Sequence, residues 1–144
     1  MDLRLPQAPG AFGAYVEAVQ TGNLLFLSGM MAVENQRAKY SARIGKEVNE
    51  GEAQDAARIA GLNGLGIARE YLGSLDKVSR VVRVGVYMAT SGENIDEPRV
   101  ADGASVLFRD IFGADKMSCR LVIGVASLPL GAPIQLEVIF EVGT

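Results

Sequence analysis

Histidine is absent from all 144 residues, and that omission removes whole classes of chemistry. Histidine is the usual near-neutral base behind serine and cysteine nucleophiles and a common zinc ligand. Ser-His-Asp and Cys-His hydrolysis, histidine-held zinc and RNA cleavage by paired histidines are therefore excluded. The one cysteine, Cys119, cannot form an internal disulfide and, without a histidine partner, reads as a small packing residue. No stretch has the pattern of a signal peptide, and none approaches the ~18 uninterrupted apolar residues of a membrane span. The expected compartment is the reducing cytoplasm, with no membrane contact. Clusters of positive charge are missing too. The net charge is −3 and the basic residues are scattered singly, which argues against nucleic acid as a partner. Repeats, low-complexity runs and linkers are also lacking, so residues 1–144 are expected to form a single domain.

What is present is apolar. Hydrophobic residues make up 49% of the chain and the mean hydropathy is +0.19, more than one domain of this size needs for its interior, so some apolar surface is expected between subunits. Two short strands, Tyr15–Val19 and Leu24–Leu27, flank Gln20-Thr21-Gly22-Asn23 as a hairpin, and Ser28-Gly29 closes the second. Residues Met31–Glu50 read mainly as loop, with a short edge strand near Tyr40–Ile44. From Gly51 to Leu72, Ala53, Ala56, Ala57, Ala60 and Gly64, followed by Ile67, Ala68 and Tyr71, recur at helical spacing, a small-residue stripe that lets a helix approach a sheet closely, with Gly73 as its stop.

Val78–Met88 alternates as a strand, with Val82, Val84, Val86 and Met88 on one face and Arg83, Gly85 and Tyr87 on the other. Asp96, Pro98 and Gly113 bound a second helix over Pro98–Phe112. Arg120–Ala126 and Ile134–Val142 complete the set, joined through Leu128–Pro133. The order ββ(β)αβαββ predicts an α+β fold, a mixed sheet with two helices packed on one face.

The segments Gly13–Val19, Leu27-Ser28-Gly29 and Gly73–Val78, and above all Arg120 followed by Gly124-Val125-Ala126-Ser127-Leu128-Pro129 and then Glu137, resemble the RidA/YjgF-like superfamily across nearly the whole chain. The Gly-Val-Ala-Ser-Leu-Pro run is more similar to a divergent branch than to its best-studied deaminases. The resemblance implies a chorismate-mutase-like fold and a homotrimer whose sheets line a central barrel, with clefts between neighbouring subunits. It also implies hydrolysis of 2-imino or 2-enamino acids to 2-keto acids and ammonia, with neither metal nor organic cofactor.

Its site residues carry over one by one. Arg120 is the expected carboxylate anchor, because a guanidinium fork matches a carboxylate with two charge-assisted hydrogen bonds; read alone, it would be a strand-end arginine in solvent or in an ion pair. The backbone carbonyl near Val122 would help to hold the attacking water. Tyr15 would border the cleft, and Ser28 and Gly29 would form its floor. Gln135 departs from the family, where glutamate polarises the water, and an amide cannot take a proton at neutral pH. Glu137 lies two residues on along the same strand face and either replaces it or is structural. The family's second-helix asparagine is not evident, Ser105 being nearest. Two functions remain open: an imine/enamine deaminase using Arg120, Gln135 and Glu137, or a non-catalytic trimer that binds small carboxylate-bearing metabolites such as 2-keto acids. A ribonuclease is disfavoured by the acidic balance and the missing histidine.

Overall fold

The computed structural model describes residues 4–92 and 94–143. In chain order its elements are β1 (Ala18–Thr21), β2 (Leu24–Leu27), β3 (Met30–Met31), β4 (Val33–Glu34), β5 (Arg37–Ala38), α1 (Glu50–Leu72), β6 (Val78–Ala89), α2 (Glu97–Phe112), β7 (Cys119–Val125) and β8 (Ile134–Val142). The main sheet runs β1-β2-β8-β6-β7, and β3 pairs with the start of β8. Every pairing in it is antiparallel except β6 with β7, which lie parallel because α2 carries the chain back between them. Among the described residues no helix is long and apolar enough to cross a membrane.

Both helices cover one face of this sheet. From β8, Ile134, Leu136, Val138 and Phe140 point into the helix layer, and from β6, Val84, Val86 and Met88 join them, all fully buried. The small-residue stripe of α1 works as expected: Ala53, Ala56, Ala57, Ala60, Gly64 and Ala68 are buried. A side chain at Gly103 of α2 would collide with the backbone carbonyl of Gln54, so the two helices meet at van der Waals distance. Tyr71 departs from the expected stripe and is 48% exposed. The helix begins at Asn49, whose side chain accepts from the Glu52 amide while Glu52 reaches back to the Asn49 amide. It ends at Gly73 with φ 86°, a left-handed conformation that costs glycine least.

Three details differ from the sequence reading. In β6, Val81 rather than Val82 is buried, since the pairing with β8 skips a residue between Val81 and Arg83 and again between Val78 and Arg80. A bulge inserts one residue and reverses the alternation, which periodicity alone does not reveal. The first strand starts at Ala18, so Tyr15, Val16 and Glu17 form a bent lead-in rather than strand. The expected strand at Tyr40–Ile44 is absent; instead β4 and β5 form a tight hairpin through Asn35 and Gln36, both at positive φ (53° and 66°). That is the geometry of a type I′ turn, usually marked by Asn-Gly, and glutamine at its second position hid it.

Two polar anchors fasten the segment after β2 to α1. Asn63, 1% exposed, donates to the carbonyls of Met31 (2.9 Å) and Val33 (3.0 Å). Asp55 accepts from the Tyr40 hydroxyl at 2.7 Å and from Lys39 Nζ at 3.2 Å. Burial alone would raise the Asp55 carboxyl, but the bonds from Tyr40 and Lys39 outweigh it and hold the group below its ordinary range. The bond to Asp55 correspondingly raises the Tyr40 phenol and the Lys39 ammonium.

Asn63→Leu should lower stability to urea by about 1–3 kcal/mol, the range for leaving buried polar groups unmatched; an unchanged midpoint would show that these bonds contribute nothing. A depressed carboxyl contributes stability above its unfolded pKa and loses it as pH falls through the folded value. The stability gap between wild type and Asp55→Asn should therefore be full near neutrality and close in acid. A gap that widens in acid would contradict this.

Candidate functional site

The strand alternation that buries Val84 and Val138 also decides where the site residues point. Arg120 pairs with Val84 across β6–β7, so it shares the helix-facing side with Val122 and Gly124. There, its Nη1 donates to Asp102 Oδ1 at 2.7 Å and to Ser105 Oγ at 3.2 Å. Asp102 and Ser105 stand three residues apart on α2, which puts them on neighbouring turns of one helix face. The Arg120 side chain is 26% exposed. Further along this side, a side chain at Gly124 would contact Glu97 Oε1 and Thr90. Val122 is partly buried and packs against the core.

A second group lies at the other end of the sheet. Ser28 N donates to the Glu17 carbonyl at 2.9 Å and Ser28 Oγ to the Val16 carbonyl at 2.7 Å, which straps the lead-in segment to the end of β2. The hydroxyl expected at the cleft floor thus acts first as a brace for Tyr15. The Tyr15 hydroxyl accepts from the Phe12 amide at 3.0 Å, curling residues 12–15 into a compact turn. Phe12, Tyr15, Glu17, Gly29 and Met31 line a small cleft here. Gly29 abuts Gln135: a Cβ at position 29 would fall on the Gln135 amide group, and Met31 pairs with Gln135 in the sheet. Glu137 shares the open face with Gln135 but is engaged by Arg83, Nε to Oε1 at 3.3 Å.

Within one chain these two groups do not meet. Gln135 lies across β6 from Ile123 through Tyr87, so its strand is two spacings from β7, about 10 Å. It also points to the open face, whereas Arg120 points to the helix layer. Arg120 and Val122 form one half, and Tyr15, Ser28, Gly29 and Gln135 the other. The sequence reading did not identify Asp102, Glu97 or Asn63; helical periodicity places Asp102 beside Ser105, but nothing local indicates that the pair faces Arg120. Among the described residues no group of three or more Cys, Asp or Glu side chains could hold a metal ion.

Ser28→Ala should cost about 0.5–1.5 kcal/mol, the net worth of one hydrogen bond, and should speed amide exchange across residues 13–19. Exchange unchanged there would show that the brace is dispensable.

Comparison with known proteins agrees with this architecture. The sequence model of the family described as "YjgF/chorismate_mutase-like, putative endoribonuclease" matches residues 1–141. Protein TCP17 of Trypanosoma cruzi is 31% identical over 98% of this chain and 89% of its own length. A Dermatophagoides farinae protein named 2-iminobutanoate/2-iminopropanoate deaminase is 31% identical over 92% of this chain and 88% of its own. A solved structure from Agrobacterium tumefaciens, of unknown function, superposes with a TM-score of 0.87 at 30% identity, covering 92% of this chain and 85% of that one. The two-helix layer on one face of a mixed sheet and the match from end to end place the chain in the YjgF/chorismate mutase-like (RidA/YjgF) family.

Proposed function

We propose that this chain acts as a homotrimer of single domains spanning residues 1–144 and hydrolyses 2-imino and 2-enamino acids to 2-keto acids and ammonia, each cleft joining the Arg120 half of one subunit to the Tyr15–Gln135 half of its neighbour. The observation that carries this reading is the separation of the two halves on opposite faces and ends of one sheet, since only a second copy can bring them together. Two features support such packing. The open face exposes Val19, Phe26, Leu121 and Ile123, each 39% or more, and the outer edge of β7 has no strand beside it among the described residues. Exposed apolar faces and open strand edges are what association covers. The Dermatophagoides farinae relative, named as an imine deaminase, supports the reaction class.

In this reading Arg120 takes the substrate carboxylate. Its Nη1 is engaged by Asp102 and Ser105, which turns the Nε–Nη2 edge toward the ligand as a two-pronged donor. Water adds its oxygen to C2 of the protonated imine and loses a proton; the carbinolamine then expels ammonia and leaves the 2-keto acid. An enamine first takes a proton on carbon to become the imine. The protonated imine is already electrophilic, so the protein supplies chiefly orientation, with the Val122 backbone carbonyl and the neighbour's Gln135 amide holding the water. Gln135 supports a second reading, a trimer that binds 2-keto acids without turnover, because no carboxylate stands at that point and Glu137 is tied to Arg83.

Light scattering should give three times the 15.3 kDa of the chain, and a monomer at micromolar concentration would overturn the shared cleft. Ammonia release from enzymatically generated 2-aminoacrylate separates the two functions. Arg120→Ala should weaken carboxylate binding by about 2–5 kcal/mol, the range for truncating one partner of a buried charged pair. Gln135→Glu should raise the rate by less than the roughly 10²–10⁴-fold typical of general-base assistance, with Glu137→Gln nearly silent. No protein-dependent ammonia release would leave the binding module; loss of release in Glu137→Gln would move water activation to Glu137.

A further inference from the structure

We infer that Glu17 is the general base of the cleft, its carboxylate taking the proton of the attacking water beside Gln135, whose amide cannot. This rests on the deaminase reading and on the cleft shared between subunits. The backbone sets the position. Ala18 pairs with Leu27 across β1–β2, and Ser28 N donates to the Glu17 carbonyl at 2.9 Å, so Glu17 stands opposite Ser28, one residue from Gly29. The Gln135 amide closes on the same glycine, where a Cβ would fall on it. Half-buried Glu17 and Gly29 line one small cleft with Tyr15 and Met31. Glu17 is the one carboxylate among its lining residues, and none of them is a cation.

The other carboxylates near the two halves are engaged or remote. Asp102 is paired with Arg120 at 2.7 Å and Glu137 with Arg83 at 3.3 Å. Glu97 approaches Gly124, four residues or roughly 13 Å along β7 from Arg120, whereas C2 of a bound 2-imino acid is one bond, about 1.5 Å, from the carboxylate that Arg120 grips. Glu17 takes part in none of the ion pairs among the described residues. From the far side of the lead-in segment Glu70 and Tyr71 of α1 share a second cavity with it, and no lysine or arginine lines that one either. An ionised carboxylate without a cation keeps its lone pairs for a water. As the water oxygen bonds to C2 of the protonated imine, one water proton passes to Glu17 and the C=N electron pair returns to nitrogen, giving the neutral carbinolamine. Glu17 then gives that proton to the nitrogen. The C2–N bond breaks, the hydroxyl proton leaves with ammonia as ammonium, the 2-keto acid forms, and Glu17 is again a carboxylate. Gln135 orients the water by hydrogen bonding.

Ammonia release from enzymatically generated 2-aminoacrylate, measured above spontaneous hydrolysis with the full-length protein, tests this beside calorimetric titration with 2-ketobutyrate. Glu17→Gln keeps the backbone carbonyl that straps the segment to β2 and removes only the base. It should lower protein-dependent release at least about tenfold, general-base assistance being worth roughly 10²–10⁴-fold, while 2-ketobutyrate affinity stays within about twofold of wild type or tightens. Adding Gln135→Glu to Glu17→Gln should restore release and gain more there than in wild type, because either position can then hold the one carboxylate. Unchanged release in Glu17→Gln overturns the proposal and leaves the deaminase standing. Equal losses of release and affinity overturn it too, since the residue would then only shape the cleft, and so does a double variant no faster than Glu17→Gln alone. If Glu17→Gln does not fold, Glu17→Asp decides: it draws the carboxylate back by one methylene and should lose at least about threefold in release at unchanged affinity, whereas the wild-type rate in that variant rejects the base. Wild type that releases no ammonia rejects the deaminase reading itself, and the base with it.

Discussion

A β-strand sends alternate side chains to opposite faces, and this one rule governs how the candidate site can exist. Val84, Val138 and Phe140 must face the helices to form the core; register then sends Arg120 to that layer and Gln135 to the open face. Slipping β8 by one residue would bring the two side chains onto the same face only by turning buried Ile134, Leu136, Val138 and Phe140 into water, while β7, which buries no residue, takes its register from its pairing with β6. The division of the site is therefore fixed by the same packing that stabilises the fold. The bulges in β6 do not relax it, because they lie before Val84, at the end of the strand remote from Gln135.

The Tyr15 half is held almost entirely through backbone. Ser28 and Glu17 strap the lead-in segment to β2, and Asn63 reaches from α1 to the Met31 and Val33 carbonyls directly beside Gly29 and Gln135. The small size of Gly29 then allows the Gln135 amide to lie against the main chain. The Arg120 half is held differently, by charged and polar side chains on α2, and α2 is itself located by the close contact of Gly103 with the Gln54 carbonyl. A change of charge on α2 can thus retune one half while leaving the other in place.

Much of this was legible in the sequence. The alanine stripe, the Gly51–Leu72 extent of α1 with its stop at Gly73, the Pro98 start of α2 and the alternation of β7 and β8 follow from periodicity and end signals, and the structure reproduces them within a residue or two. Periodicity also placed Arg120 with Val122 and Gly124, and Gln135 with Glu137. It could not show the bulge that exchanges Val82 for Val81, because an inserted residue leaves composition unchanged. Nor could it show the Asn35-Gln36 turn, whose positive φ values are forced by a hairpin that the sequence barely marks. The pairing of Asp102 with Arg120 was hidden for another reason: eighteen positions separate them, and only the right approach of α2 to β7 joins them. The Arg83 bond to Glu137 is equally non-local, and it gives that glutamate an ion-pair partner that strand alternation alone does not show.

The central claim is that a working cleft draws its two halves from different subunits, and mixed assemblies address it most directly. Arg120→Ala removes one half and Tyr15→Ala with Gly29→Val damages the other, so each variant alone should be inactive in ammonia release from 2-aminoacrylate. Mixed trimers refolded from equal amounts of both should recover activity, because about one cleft in three of each mixed trimer then combines an intact Arg120 with an intact neighbouring half. Mixed trimers verified by mass that remain as inactive as either parent would contradict a site shared between subunits.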